Sequence, residues 1–358
     1  MADTGDMLRL GRQLKGYTQK LAAQRLGVTQ PVLSRFENSA SEPEEPLLMI
    51  ASKVYEVPRA FFDIRDAVYG PSVSVHPMPR AKASITARDL DMVTAELNIR
   101  SMQLRRFLDG VDFAPTNDLP ALDVENYGNG AKVAALLRAH WQLPTGPIKN
   151  LTTIVERAGC IVAHSSFGGA SVSGMTFKVP GSPPLILLNS DHPADRMRFT
   201  LAHELGHVVM HRFPTPTMEN EANDFASAFL MPAEQIAPYF KGRNVTLELL
   251  ASLKPEWRCS MQMTLRVAKN GGFVSENQYR YLMMQISKRG WRLREPPELD
   301  FPHEQPQILR AVIKAHVEEL GYSIDDVIKF FPMHDHQFNS YYGDVFGKSE
   351  RPRLRIVS

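Results

Sequence analysis

Apolar residues in this chain recur at helical spacing far more often than they alternate. Over residues 8–66 they fall in short clusters divided by tight turns, which predicts a compact run of short helices without strands. Helical spacing returns from Ile85 to Leu108. "GAKVAALLRAHWQL" (130–143) predicts an amphipathic helix that stops before Pro144, and "LTTIVERAG" a helix closed by Gly159. The pattern then changes. "CIVAHSS", "SGMTFKV" and "PPLILLNS" read as three strands and lead straight into "TLAHELGHVVMH" (200–211). Beyond Pro232 the chain reads as helical again, with stops at "NGG" (270–272), "REPP" (294–297) and from Gly343. The fold class expected is α+β, mostly α.

Punctuation divides this pattern into units. "YGPSVSVHPMPRAKAS" (69–84) has the Gly, Ser and Pro content of a linker. The expected division is a helical domain over 1–68, the linker over 69–84, a mixed domain over 85–240 and a helical C-terminal region over 241–358. At 358 residues with 43% hydrophobic and 22% charged residues, the chain can fill real cores. A formal net charge of +2 gives no global attraction to nucleic acid, so any such contact must come from a local patch. The two cysteines, Cys160 and Cys259, lie far apart and outside any C-x-x-C pair, which argues against a disulfide framework. The start lacks a signal-peptide core and no run of about 18 apolar residues occurs, so the expectation is a cytoplasmic protein with no membrane partner. The sixteen methionines, spread along helical faces, are expected as core fillers.

The candidate chemistry starts at His203, Glu204 and His207, an H-E-x-x-H pattern. Positions i and i+4 share one helix face, so both imidazoles can reach one Zn²⁺ ion, while the carboxylate at i+1 can take a proton from activated water. His211 is the tempting third ligand, but it lies roughly 12 Å along the helix from His203. It reads instead as a histidine at the helix C-terminus, where partial positive charge is favoured. A better third ligand follows in "MENEANDFASAFLMP" (218–232), a second helix with Phe225, Ala226, Phe229 and Leu230 on its apolar side. Glu219 has the polar Asn223 one turn on, placed to hold a ligand histidine by its other nitrogen. Glu221 is the rival. It points about 200° away from Glu219, and its neighbour one turn on is Phe225. Arg196, Arg198, His164 and His192 are candidates for stabilising an oxyanion.

Together, "RMRFTLAHELGHVVMH" and "ENEANDFASAFLMP", preceded by strands, resemble the ImmA/IrrE family of bacterial metallopeptidases over about residues 85 to 235. The resemblance implies a minimal gluzincin-like core with a small sheet and a zinc site of His203, His207 and Glu219, with Glu204 as general base. It also implies a protein substrate, such as a helix-turn-helix repressor. An alternative reading keeps the zinc site for sensing or docking, in a non-hydrolytic transcription factor or antitoxin-like protein.

In "YTQKLAAQRLGVTQPVLSRFEN" (17–38), Leu21, Ala22 and Leu26 predict one apolar face and Gly27 a tight turn. Thr29 is placed to cap the next helix, with Val32, Leu33 and Phe36 facing inward. Helix, short turn and helix is a DNA-reading arrangement. Residues 7 to 66 resemble the XRE (Cro/C1-type) family. The resemblance implies double-stranded operator DNA as partner, with Thr29, Gln30, Ser34 and Arg35 at the groove and Gln19 on the DNA backbone. The loop that follows departs from that family, because "SASEPEEP" carries Glu42, Glu44 and Glu45 where basic residues are usual. Nine Lys/Arg and nine Asp/Glu over residues 1–66 leave the module neutral. A neutral module binds DNA weakly on its own; a homodimer over two half-sites would restore affinity, and docking to a protein is the alternative use.

Overall fold

Short helices, the first two capped by side chains, build the first sixty residues. The structure is a computed structural model that describes residues 2–71, 86–111, 113–169 and 172–343. Most of the expected linker, 72–85, and the basic tail beyond 343 lie outside the described residues. Helix α1 (Thr4–Leu14) opens on a capping box between Asp3 and Asp6. Helix α2 (Gln19–Leu26) is capped by the Thr18 hydroxyl and closed by Gly27 at φ 74°, a left-handed position that glycine adopts without strain. Helices α3 (Gln30–Glu37) and α4 (Glu45–Tyr55) follow. Ala22, Ala23, Leu26 and Leu33 meet Met7, Leu8, Ala51 and Tyr55 in one core. Leu21, expected on the inner face, is instead 37% exposed, because the buried face of the helix runs through Ala22, Ala23 and Leu26, away from it.

Helix α5 (Ala87–Leu108) joins this core to the rest of the molecule. Its Ala95, Ile99 and Met102 complete the core of α1–α4, whereas Val93, Leu97, Leu104 and Phe107 enter a second core against the sheet. With both sides covered, residues 93–104 are all buried, polar ones included. Buried polar groups need partners, and Asn98 and Arg100 of α5 have them. Asn98 bonds both backbone groups of Tyr69, and Arg100 reaches Glu96 and the His164 carbonyl.

Helices α6 (Val124–Tyr127), α7 (Gly130–His140) and α8 (Leu151–Arg157) lead into a three-stranded sheet. Strands β1 (Ile161–Ser165), β2 (Gly174–Phe177) and β3 (Leu185–Asn189) lie in the order β1-β3-β2. β3 pairs in parallel with β1, Ile161 opposite Leu185, and antiparallel with β2, Gly174 opposite Leu188. Alternate side chains sort to opposite faces. Val162, Ile186 and Leu188 join the large core on one side, while Ile161, Ala163, Met175, Phe177, Leu185 and Leu187 join the α5 core on the other. Covered on both faces, β3 is buried throughout and reads as an unbroken apolar run.

On the first face lies α9 (Ala194–Met210), buried along most of its length, and then α10 (Met218–Leu230). Gly174 lets β2 approach α9, since a Cβ there would fall 2.5 Å from Thr200 Cγ2. The remaining helices divide between the two cores. α11 (Ala233–Phe240), α12 (Leu247–Trp257), α13 (Met261–Asn270) and α14 (Glu276–Lys288) extend the large core around α9. α15 (Ile308–Glu318), α16 (Ile324–Lys329) and α17 (Asp335–Tyr342) return to the α5 side. Lys254 of α12 anchors the start of α9 through Asp195 and ties in Glu295, at 2.8 Å each. No helix among the described residues is long and apolar enough to cross a membrane.

Helix α7 sets the position of α10. Arg138 Nη1 donates to the Phe229 carbonyl at 2.8 Å, satisfying one of the orphan acceptors at the end of α10. At the other end of α7, a Cβ on Gly130 would fall 2.1 Å from the Glu221 carbonyl oxygen. Gly130→Ala is therefore expected to destabilise the fold by about 1–3 kcal/mol, the cost of forcing packed backbones apart. Urea unfolding checks this, and an unchanged midpoint would contradict it.

Candidate metal centre and DNA-facing surface

The spacing of residues 203 and 207 turns both imidazoles of α9 toward α10, where the first turn presents Glu219. His203 Nε2 and His207 Nε2 are 3.0 Å apart. Glu219 Oε2 lies 3.4 Å from His203 Nε2, and its Oε1 lies 3.3 Å from His207 Nε2. These three residues form a cluster whose donor atoms all fall within 4.8 Å of one another. Donors sharing one tetrahedral zinc at 2.0–2.1 Å each sit roughly 3.3 Å apart, so the observed spacing fits such an ion. The set of two imidazoles and one carboxylate also leaves a fourth position for water or substrate, as hydrolytic zinc sites require.

The electrostatics follow from this convergence. Burial disfavours charge on Glu219, but its hydrogen bonds to His203 and His207 outweigh that and hold its carboxyl down to about 2. For His203 burial likewise opposes charge, yet Glu219, Glu204 and a hydrogen bond that the imidazole donates to Asn223 together raise it above ordinary imidazole. Asn223 thus lies against His203, one turn after Glu219. The cysteines stay outside the site. Both are buried, and burial pushes each thiol up to about 12, a state poor in the thiolate that metals bind.

Glu204 is buried and does not join the cluster. Its Oε2 accepts a 2.8 Å hydrogen bond from the Thr176 hydroxyl on β2. Parity along β2 puts Thr176 on the α9 side with Gly174, opposite Met175 and Phe177. That alternation was the available signal for Thr176, but nothing local pointed it at Glu204.

His211 ends α9, as the sequence implies, but in a different state from the one expected. It is 6% exposed, and burial lowers its pKa against the pull of Glu221. Its Nδ1 lies 2.9 Å from His207 Nδ1, and its Nε2 lies 3.0 Å from Glu221 Oε2. Glu221 therefore faces His211 rather than the cluster. Of the four oxyanion candidates, Arg198 is buried in an ion pair with Glu304 and a bond to the Ile148 carbonyl, a structural tie. Arg196 and His192 both meet Ser173, and His164 packs edge-on against His303.

Along the same stripe, one turn from His203 and one turn from Asn223, Phe199 and Ser227 line a cavity of about 220 Å³. Met263, Tyr279, Met283 and Trp291 complete its apolar wall, and Arg266 and Arg292 add charge.

In the N-terminal domain, α3 exposes Gln30 and Arg35 and half-buries Ser34, and Arg35 makes no ion pair among the described residues. Thr29 has the extended conformation of a cap, but its hydroxyl takes no cap bond. Pro31, in the first turn, has no N–H to offer it. Gln30 Nε2 donates to Gln19 Oε1 at 2.8 Å, and Gln19 Nε2 to Glu37 Oε2 at 2.9 Å. Glu37, 1% exposed, is held by Arg12 Nε at 2.6 Å and Nη2 at 2.9 Å. A buried bidentate pair thus fixes the two glutamines at the outer surface.

Residues 155–268 match the peptidase M78 family model, described as an IrrE N-terminal-like domain. Residues 8–62 match a helix-turn-helix model. No curated protein matched the chain. The first range contains the entire metal cluster with Glu204 and Thr176, and the second contains α2 and α3.

Removing one member of a buried ion pair strands the other. Glu37→Ala is expected to destabilise the protein by about 3–5 kcal/mol in denaturant unfolding. A loss below about 1 kcal/mol, the range of exposed pairs, would contradict the role given to this pair.

Proposed function

We propose that a chain joining a helix-turn-helix domain to an IrrE N-terminal-like domain acts as a DNA-binding regulator whose second domain is a zinc-dependent endopeptidase. The observation that carries the reading is the convergence of His203, His207 and Glu219 at 3.0–3.4 Å, with a buried carboxylate on the same helix left out of it. Zinc bound by these three residues would supply Lewis acidity, acidifying water and polarising a carbonyl. The chain supplies the rest. Thr176 holds Oε2 of Glu204, which leaves Oε1 to accept the proton from water and return it to the leaving amine. β2 is the edge strand beside α9, so an extended substrate segment can pair with its open side. The cavity beyond Phe199 and Ser227 suits an apolar substrate side chain.

The substrate class is a regulatory protein, with a helix-turn-helix repressor as the leading case. The chain's own DNA-binding domain would bring it to the operators where such proteins sit. On DNA, Gln30 and Arg35 face the major groove with Ser34, Thr29 lies at the start of the same helix, and Gln19 approaches the backbone. Glutamine and arginine suit adenine and guanine edges. A homodimer over two half-sites compensates for a module with no net charge.

Glu204→Gln should retain zinc, measured as bound metal per chain, and lose cleavage of partner proteins trapped from native cells. Cleavage that persists in this variant would sink the endopeptidase reading. For DNA, the logarithm of affinity should fall linearly with that of salt, and Arg35→Ala should flatten the slope by about one. Titration of promoter fragments by fluorescence anisotropy tests this; binding without salt dependence would favour protein docking instead.

A further inference from the structure

The third histidine of "TLAHELGHVVMH" has no place among the metal ligands, yet it is buried and bonded on both sides. His207 Nδ1, His211 Nδ1, His211 Nε2 and Glu221 Oε2 form a continuous line at 2.9 and 3.0 Å. His207 and His211 are 4% and 6% exposed, so protein atoms decide where their protons sit. We propose that His211 and Glu221 are positioning residues that fix His207 in its metal-binding tautomer. This rests on the reading of His203, His207 and Glu219 as a zinc site.

The argument is one of donor and acceptor counting. To offer the Nε2 lone pair to a metal, neutral His207 must carry its proton on Nδ1. That proton needs an acceptor, and His211 Nδ1 is 2.9 Å away. Two Nδ1 atoms facing each other share only one proton, so His211 must then carry its own on Nε2. There it meets the Glu221 carboxylate at 3.0 Å, which accepts it. The opposite arrangement, with the shared proton on His211, moves the His207 proton to Nε2 and blocks the metal. It would also leave the bare His211 Nε2 facing a carboxylate, two acceptors with no hydrogen between them. The Glu221 charge thus selects the productive arrangement, and through His211 it raises the basicity of the His207 ligand.

Sequence neighbours give the relay its geometry. His211 follows His207 by four residues, so the two stack along α9, with ring centroids 5.0 Å apart. Glu221 follows Glu219 by two on α10, so one carboxylate faces the metal cluster and the other faces the histidine behind it. The side chain of Glu221 is 22% exposed, which leaves it open to substitution without disturbing a core. A merely structural link between α9 and α10 would tolerate any side chain of the right size; a tautomer relay demands an acceptor at His207 Nδ1.

The test is zinc affinity by competition with a chromophoric chelator in the full chain, with circular dichroism confirming the fold of each variant. His211→Leu removes the acceptor and should weaken zinc binding about 10–100-fold. His211→Gln, whose amide oxygen can accept from His207 and whose amide nitrogen can donate to Glu221, should restore most of it. Glu221→Ala should weaken binding in the same direction, and it reports even where His211→Leu fails to fold. In zinc-loaded wild type labelled with ¹⁵N-histidine, a ¹⁵N–¹⁵N coupling should appear across the His207–His211 bond, with the remaining His211 proton on Nε2. Unchanged affinity in both Glu221→Ala and His211→Leu, while His203→Ala abolishes binding, overturns the relay and leaves the zinc site standing. Unchanged affinity in His203→Ala overturns both.

Discussion

The packing of α9 against α10 is the constraint on which the rest of the site depends. Neither helix holds a metal site alone. α9 supplies two imidazoles on one face, and α10 supplies the carboxylate that brings their nitrogens to 3.0–3.4 Å. This approach is fixed from behind by α7, whose Gly130 admits the Glu221 backbone and whose Arg138 holds the last turn of α10. Phe225 and Phe229, stacked at 5.3 Å between centroids, fill the apolar side of the same helix. Small, aromatic and cationic residues thus meet at one contact and hold the two helices close together.

A second constraint links this site to the outer surface of the helix-turn-helix. α5 belongs to two cores at once, with Ala95, Ile99 and Met102 turned to the N-terminal helices and Val93, Leu97 and Phe107 turned to the sheet. The chain returns to the same junction near its end, where Phe331 enters the N-terminal core. The helix-turn-helix and the sheet that backs α9 are therefore built on a common element. Along the N-terminal part, the buried Arg12–Glu37 pair plays the role that α7 plays for α10, holding Gln19 and Gln30 in register at the outer surface.

Much of this was legible in local patterns, because it depends on local rules. The three strands, the Gly27 turn and the helix carrying residues 203 and 207 follow from periodicity and punctuation alone. What escaped were contacts between residues distant in sequence. The partnership of Thr176 with Glu204 spans 28 positions, and helical periodicity says nothing of it. Helix geometry turns Glu221 away from Glu219, but its partner His211 follows only from the docking of α9 on α10. The sequence places His211 at a helix end, where charge is favoured, but says nothing of the burial that lowers its pKa there. The apolar pattern puts Leu21 inside, whereas the buried face runs through Ala22, Ala23 and Leu26. α5 shows the same limit more broadly, since Asn98, Arg100 and Gln103 look like solvated residues until two cores close over them.

The metal centre is the claim from which the hydrolytic reading grows, and its ligand set can be measured directly. X-ray absorption at the zinc edge of the zinc-loaded chain should show nitrogen and oxygen neighbours alone at about 2.0–2.1 Å, with the outer-shell scattering of two imidazoles. A neighbour at about 2.3 Å, the zinc–sulfur distance, or the absence of imidazole scattering would contradict the site drawn from His203, His207 and Glu219.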